Sequence, residues 1–172
     1  MAQLKDILYK VSIEELVGTT NVDILSIEFD SRKAKGGVAF IAIKGFTVDG
    51  HDYIAKAINL GCKTIICEVL PTAIVDGVNY VRVKDSSEAL GIMAANFYDN
   101  PSTKLNLIGI TGTNGKTSSV TLMFKLFRAL GYNVGLLSTV ENKINDDIIP
   151  ATHTTPDPVA LNDLLAKMVK AG

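Results

Sequence analysis

Residues 105–119, LNLIGITGTNGKTSS, constrain this chain more than any other stretch. Leu105–Ile110 is an apolar run of the kind buried as a parallel strand. Thr111–Gly115 is a turn of small residues. Lys116 to Ser119 then opens a segment with Val120, Met123, Phe124, Phe127 and Leu130 on one helical face. Strand, Gly-rich turn and helix with Gly-Lys-Thr at the junction describe a phosphate-binding loop. Gly112 and Gly115 let the backbone turn tightly and approach an anion. The first amides of the helix have no partner within it and face the phosphates, aided by the helix dipole. Lys116 reaches the β- and γ-phosphates, and the Thr117 hydroxyl is placed to ligate Mg²⁺. The general pattern G-x-x-x-x-G-K-[ST] requires glycine at position 110, where this chain has Ile110. The loop is therefore the shorter G-x-x-G-K-T form. A glycine-rich turn with a surface lysine is the plainer alternative, and the flanking strand and helix argue against it.

A chain of 172 residues, 47% of them hydrophobic, has room for one large or two small domains with a real core. Its formal net charge of −1 gives no electrostatic case for a nucleic acid or an anionic membrane as partner. The N-terminus, MAQLKDILYK, lacks the apolar core of a signal peptide, and no apolar run reaches the length of a membrane span. Cys62 and Cys67, in GCKTIICEV, fit no common metal spacing. They read as small buried hydrophobes in a reducing, cytoplasmic setting.

Before the loop, strands alternate with helices, the pattern of an α/β fold. Residues 3–17 suggest one or two short helices with Leu4, Ile7, Leu8, Val11 and Leu16 inward. Ser26–Asp30 alternates like a half-buried strand and leaves through the polar Asp30-Ser31-Arg32. Val38–Ile43, Thr64–Val69 and Asn79–Val83 read as strands. A helix over His51–Leu60 is capped at or just after Asp49 and stopped by Gly61. Another, Ala89–Tyr98, is capped from Asp85-Ser86-Ser87-Glu88. Asp99-Asn100-Pro101-Ser102 is the clearest break, and the domain boundary is expected there, giving units 1–100 and 101–172.

After the long helix, Gly131-Tyr132 closes it, Asn133–Val140 reads as a second parallel strand, and Glu141–Ile149 as a hairpin or loop. Asp157 caps a last helix. Two parallel strands bury little. Of the acids after Lys116, only Glu141 follows an apolar run, and a hairpin residue is a better account of it than a metal ligand. The phosphate site looks unfinished, so the chain is expected to be the N-terminal portion of a longer protein.

TGTNGKTS resembles the ATP loop of the Mur ligases, which build the peptide stem of bacterial peptidoglycan, and of the related folylpolyglutamate synthetases. FDSRKAKGGVAFIAIKGFTVDGHDYIAKAINLGCKTIICE resembles the N-terminal uridine-nucleotide domain of two Mur ligases, those adding the third residue and the terminal dipeptide. Thr113 within the loop and HTTPDP at 153–158 favour the third-residue enzyme.

The resemblance implies a uridine-nucleotide-binding α/β domain followed by the start of a P-loop ATP-binding α/β domain. It implies that Gly112, Thr113, Asn114, Gly115, Lys116, Thr117 and Ser118 hold ATP, with Lys116 catalytic and Thr117 on Mg²⁺. Phe29, Ser31, Phe46, Thr47 and Val48 would meet the uridine nucleotide. His153, Thr154 and Thr155 would hold the muramoyl-dipeptide end. For these substrate-binding positions the residues alone favour plainer roles.

The implied reaction joins diaminopimelate or L-lysine to UDP-N-acetylmuramoyl-L-alanyl-D-glutamate through an acyl phosphate. The family's later metal ligand, carbamylated lysine and amino-acid-binding C-terminal domain have no counterpart here, so these residues alone are not expected to ligate. A stand-alone uridine-nucleotide module, an unrelated P-loop ATPase or kinase, and the terminal-dipeptide ligase remain the alternatives.

Overall fold

The computed structural model describes residues 1–45, 48–150 and 156–172. Two compact units are present, Met1–Phe97 and Tyr98–Gly172.

The first unit begins with β1 (Ala2–Gln3), α1 (Leu4–Ile7), β2 (Ile13–Val17), β3 (Asp23–Ile24) and β4 (Ser26–Glu28). It continues with β5 (Val38–Ile41), α2 (Ile54–Asn59), β6 (Thr64–Cys67), β7 (Asn79–Val83) and α3 (Ser86–Phe97). Among the described residues, five strands form one sheet in the order β2-β7-β6-β5-β4. β4 to β7 run parallel, and β2 closes one edge antiparallel to β7.

Parallel strands joined by helices are covered on both faces, which is why they read as unbroken apolar runs. Val38 and Phe40 of β5, Ile65 and Cys67 of β6 and Tyr80 of β7 pack with Ile54 and Ala57 of α2. The alternating positions Ala39, Ile41, Ile66 and Val81 are buried as well. Both cysteines sit in this core as free thiols, and burial pushes the Cys67 thiol up to about 11. They are packing residues, as their spacing suggested.

Residues 13–17 are not helical. Lys10 takes a positive φ of 64° after α1, and IEELV then adds itself to the open edge of β7. Glu14 and Glu15 lie beside Arg82 there, at 3.7 and 3.3 Å. Leu16, expected inward, is 43% exposed on that edge. Edge pairing satisfies the backbone and outweighs the helical spacing of the preceding apolar residues. The 51–60 helix also differs from expectation. Gly50–Tyr53 is a 3₁₀ turn on which α2 is built.

The second unit holds α4 (Lys116–Ala129), β8 (Gly135–Leu137), β9 (Glu141–Ile144), β10 (Asp147–Pro150) and α5 (Pro158–Lys170). β8, β9 and β10 form an antiparallel sheet, with a tight turn at Asn145 between the last two. The expected parallel strand over 133–140 is thus the short first strand of a meander. Asp157 caps α5 by accepting from the Val159 and Ala160 amides, both at 2.9 Å, and Leu164, Leu165 and Met168 are buried beneath it.

The largest departure is Leu105–Ile110. It pairs with no strand among the described residues, and Leu107 and Ile108 are 60% and 58% exposed. An apolar run becomes a buried parallel strand only where neighbours supply hydrogen bonds and cover. Here it lies along a gap lined by Val120, Met123, Phe124 and Phe127 of α4 and by Leu136. The α4 residues are half-buried, and Leu130, expected on the same face, is exposed. Among the described residues no helix is long and apolar enough to cross a membrane.

Candidate functional site

In the first unit the chain leaves β4 and β5 at neighbouring carboxyl ends, where open α/β sheets bind ligands. Phe29, Asp30 and Ser31 follow β4, and Ile43, Gly45, Val48 and Gly50 follow β5. Together they line a cavity of about 720 Å³. Phe29, Ser31 and Val48, three of the predicted contacts, are therefore brought to one site. Phe46 and Thr47 lie outside the described residues, as do His153, Thr154 and Thr155.

Asp30 builds the rim. Its carboxylate accepts from the Arg32 amide at 3.0 Å, which starts a 3₁₀ turn over Ser31–Lys33 and leaves Ser31 buried. The Arg32 guanidinium closes back on the same carboxylate in a fork, at 2.9 Å from Nε and 2.7 Å from Nη2. These hydrogen bonds stabilise the ionised form and push the Asp30 carboxyl down to about 2. The stabilisation is therefore full above the ordinary value of 3.8 and is lost as pH falls through about 2. A carbon-13 NMR titration of the Asp30 carboxyl should show a midpoint near 2, returning towards the ordinary value in Arg32→Ala. An unshifted midpoint in the wild type would contradict the fork.

The lining also includes Arg32, Tyr53 and Lys56, which the sequence did not mark as contacts. Arg32 was legible only as part of a polar triplet. Tyr53 and Lys56 are three apart at the start of α2, and the Lys56 ammonium lies 5.9 Å from the Tyr53 ring centre. With Arg32 they put cationic and aromatic groups around the cavity, the chemistry that holds a base and phosphates.

The phosphate loop in the second unit has the geometry its residues demand. Gly112 and Gly115 have φ of +150° and +81°, which a side chain would resist. Gly115 stands at the start of α4, so the amides of Lys116, Thr117 and Ser118 belong to the unpaired first turn. Thr113, Asn114 and Ser118 are exposed around it. Lys116 Nζ donates to the carbonyl oxygens of Gly112 and Thr113, the second at 3.3 Å. The ammonium is thereby held over the loop, where it can transfer from carbonyl to phosphate oxygen.

Lys116 and Thr117 also border a cleft of about 270 Å³ with Ser138, Thr139, Asn142 and Pro156. The Ser138 hydroxyl fixes its far wall by donating to the Glu141 carbonyl at 2.7 Å. No local signal marked Ser138, Thr139 and Asn142, which reach Lys116 only through the β8–β9 turn, whereas Pro156 belongs to the HTTPDP segment before α5. Among the described residues no group of three His, Cys, Asp or Glu side chains could hold a metal ion. Glu141 opens β9 and is paired with Lys143 at 2.8 Å. The Thr117 hydroxyl at the start of α4 is placed where it would give Mg²⁺ one protein ligand, and the rest of such an ion's shell would come from nucleotide phosphates and water.

Residues 23–98 match the family model described as Mur ligase family, catalytic domain, and residues 110–172 match the Mur ligase middle domain. A UDP-N-acetylmuramoyl-L-alanyl-D-glutamate–2,6-diaminopimelate ligase from Cytophaga hutchinsonii is 56% identical over 99% of this chain and 35% of its own length. The enzyme of the same name from Bacteroides fragilis is 46% identical over 99% of this chain and again 35% of its own. The chain thus spans about a third of the length of the curated relatives it matches. A solved structure titled as a ligase of the same name has a TM-score of 0.75 at 21% identity, covering 99% of this chain and 34% of that one.

Proposed function

The chain belongs to the Mur ligase family, and on that premise we propose that it supplies the uridine-nucleotide domain and the ATP loop of a ligase acting in peptidoglycan synthesis. The acceptor is UDP-N-acetylmuramoyl-L-alanyl-D-glutamate, and the added residue is diaminopimelate. Diaminopimelate is preferred to L-lysine because the similar relatives carry it in their names. The observation that carries the assignment of the first unit is the single cavity joining Phe29, Ser31, Arg32 and Val48 at the carboxyl ends of β4 and β5.

In the reaction, the terminal carboxylate of the acceptor attacks the γ-phosphorus of ATP and releases ADP. The acyl phosphate formed is then attacked by the incoming amine, which expels phosphate. Lys116 and the first-turn amides of α4 stabilise charge on the transferring group. Mg²⁺, when bound with the nucleotide beside Thr117, neutralises charge on the phosphates. A cytoplasmic setting goes with this chemistry, since ATP is available there and thiols stay reduced.

The test is calorimetric titration of the chain with UDP-N-acetylmuramoyl-L-alanyl-D-glutamate, UDP and ATP·Mg²⁺. Both uridine compounds should bind, and Ser31→Ala should weaken both about tenfold, the worth of one good hydrogen bond. A response to ATP·Mg²⁺ with none to either uridine compound would overturn the assignment of the first unit.

A further inference from the structure

Behind the wall of the first cavity lies a polar connection that no lining residue reveals. His51 directly follows Gly50, and its side chain is 15% exposed. The backbone amide of Glu68, at the end of β6, donates to His51 Nε2 at 2.9 Å. An amide can only donate, so Nε2 carries no proton and the proton of the neutral ring sits on Nδ1. Nδ1–H then donates to Asp49 Oδ1 at 2.6 Å, and the same oxygen accepts from the His51 amide at 2.9 Å. Glu68 is itself fixed, because its carboxylate accepts from the Ser86 amide at 2.9 Å and the Ser86 hydroxyl at 2.7 Å. Ser86 is fully buried at the start of α3.

The other end of the connection is the loop that leaves β5. Its base is closed by a Lys44–Asp49 bridge and by Gly50 N donating to Ile43 O at 2.8 Å. Gly45 N donates to Val48 O at 3.1 Å within it. Gly45, Val48 and Gly50 line the cavity, and His51 does not. The imidazole therefore joins a ligand-facing loop to the end of a buried strand seventeen residues on, using both ring nitrogens.

We infer that His51 is a positioning residue for the uridine nucleotide: its ring fastens Val48–Gly50, where the chain comes back to the end of β5, to the end of β6 through Asp49 and the Glu68 amide, and so sets the wall against which the nucleotide binds. The inference rests on the first cavity being the uridine site. A loop held before binding does not lose its ordering entropy on binding, so releasing it weakens affinity without removing any contact to ligand.

Asparagine and glutamine separate the two ring nitrogens. Glutamine at position 51 sets an acceptor where Nε2 stands and keeps the link to Glu68. Asparagine places a donor near Asp49 and stops short of Glu68. UDP is titrated into wild type, His51→Ala, His51→Asn and His51→Gln, with amide hydrogen exchange at Glu68 followed in each. Alanine and asparagine should weaken UDP about tenfold and expose the Glu68 amide to exchange. Glutamine should restore both, a rescue that general destabilisation would not give.

UDP affinity equal to wild type in both His51→Ala and His51→Asn overturns the inference alone. If the alanine variant does not fold, the asparagine and glutamine pair decides, and equal affinities in those two overturn it. A wild-type chain indifferent to UDP overturns the uridine assignment, and this role of His51 with it.

Discussion

Replacing Lys116 with alanine should weaken binding of ATP·Mg²⁺ roughly ten- to a hundredfold and leave the fold intact. The side chain is exposed, and among the described residues its hydrogen bonds are to the carbonyl oxygens of Gly112 and Thr113. Removing it costs those carbonyls nothing that water cannot replace. In the bound state the same ammonium faces the β- and γ-phosphates, where hydrogen bonds to charged groups contribute about 1.5–3 kcal/mol, roughly ten- to a hundredfold in affinity. The α4 amides and the loop glycines remain, so residual binding of phosphate should survive. The melting temperature should not move, and the affinity for UDP should match wild type, because Lys116 belongs to Tyr98–Gly172 and the uridine cavity to Met1–Phe97. Calorimetry with ATP·Mg²⁺ is the measurement. Unchanged affinity would show that the glycine-rich turn carries only a surface lysine.

That loop was legible in the sequence because its chemistry is local. Two glycines needed at positive φ, a lysine and a threonine occur within six residues, and no distant partner is required to assemble them. The central strands were legible for a related reason, since burial on both faces leaves unbroken apolar runs at Val38–Ile41 and Thr64–Cys67. Ile13–Val17 was misread because an edge strand takes its conformation from the neighbour it pairs with, here β7. Leu105–Ile110 failed in the opposite sense. Its composition suits a central strand, and among the described residues no strand lies beside it. The cavity proposed for the uridine nucleotide was half visible. Phe29, Ser31 and Val48 lie on loops after strands and were found by resemblance, whereas Tyr53, ending the 3₁₀ turn, and Lys56 on α2 join them only in three dimensions. His51 read only as the first residue of the expected 51–60 helix, because its partner Glu68 is seventeen residues away.

Alanine at Gly50 should do more damage to the uridine site than the loss of any single contact in it. A Cβ there would stand 2.6 Å from Ile43 N and 2.7 Å from Ile43 O. Both are backbone atoms leaving β5, which is paired on either side in the sheet and cannot retreat. The loop must move instead, breaking the 2.8 Å hydrogen bond from Gly50 N to Ile43 O and displacing Gly45 and Val48 from the cavity wall. Overpacking of this kind costs about 1–3 kcal/mol. In a unit of this size each kcal/mol lowers the melting temperature by roughly 4–8 °C. UDP binding should be lost, while ATP·Mg²⁺ still binds. Gly91, within α3, is the control. A Cβ there meets nothing within 4 Å, so Gly91→Ala should raise stability by about 0.5–1 kcal/mol through helix propensity and the unfolded state. Thermal melts and UDP titrations of the two variants measure both effects. A Gly50→Ala chain that melts with wild type and binds UDP normally would mean that the loop yields easily, and that close packing of its base against β5 does not hold the site.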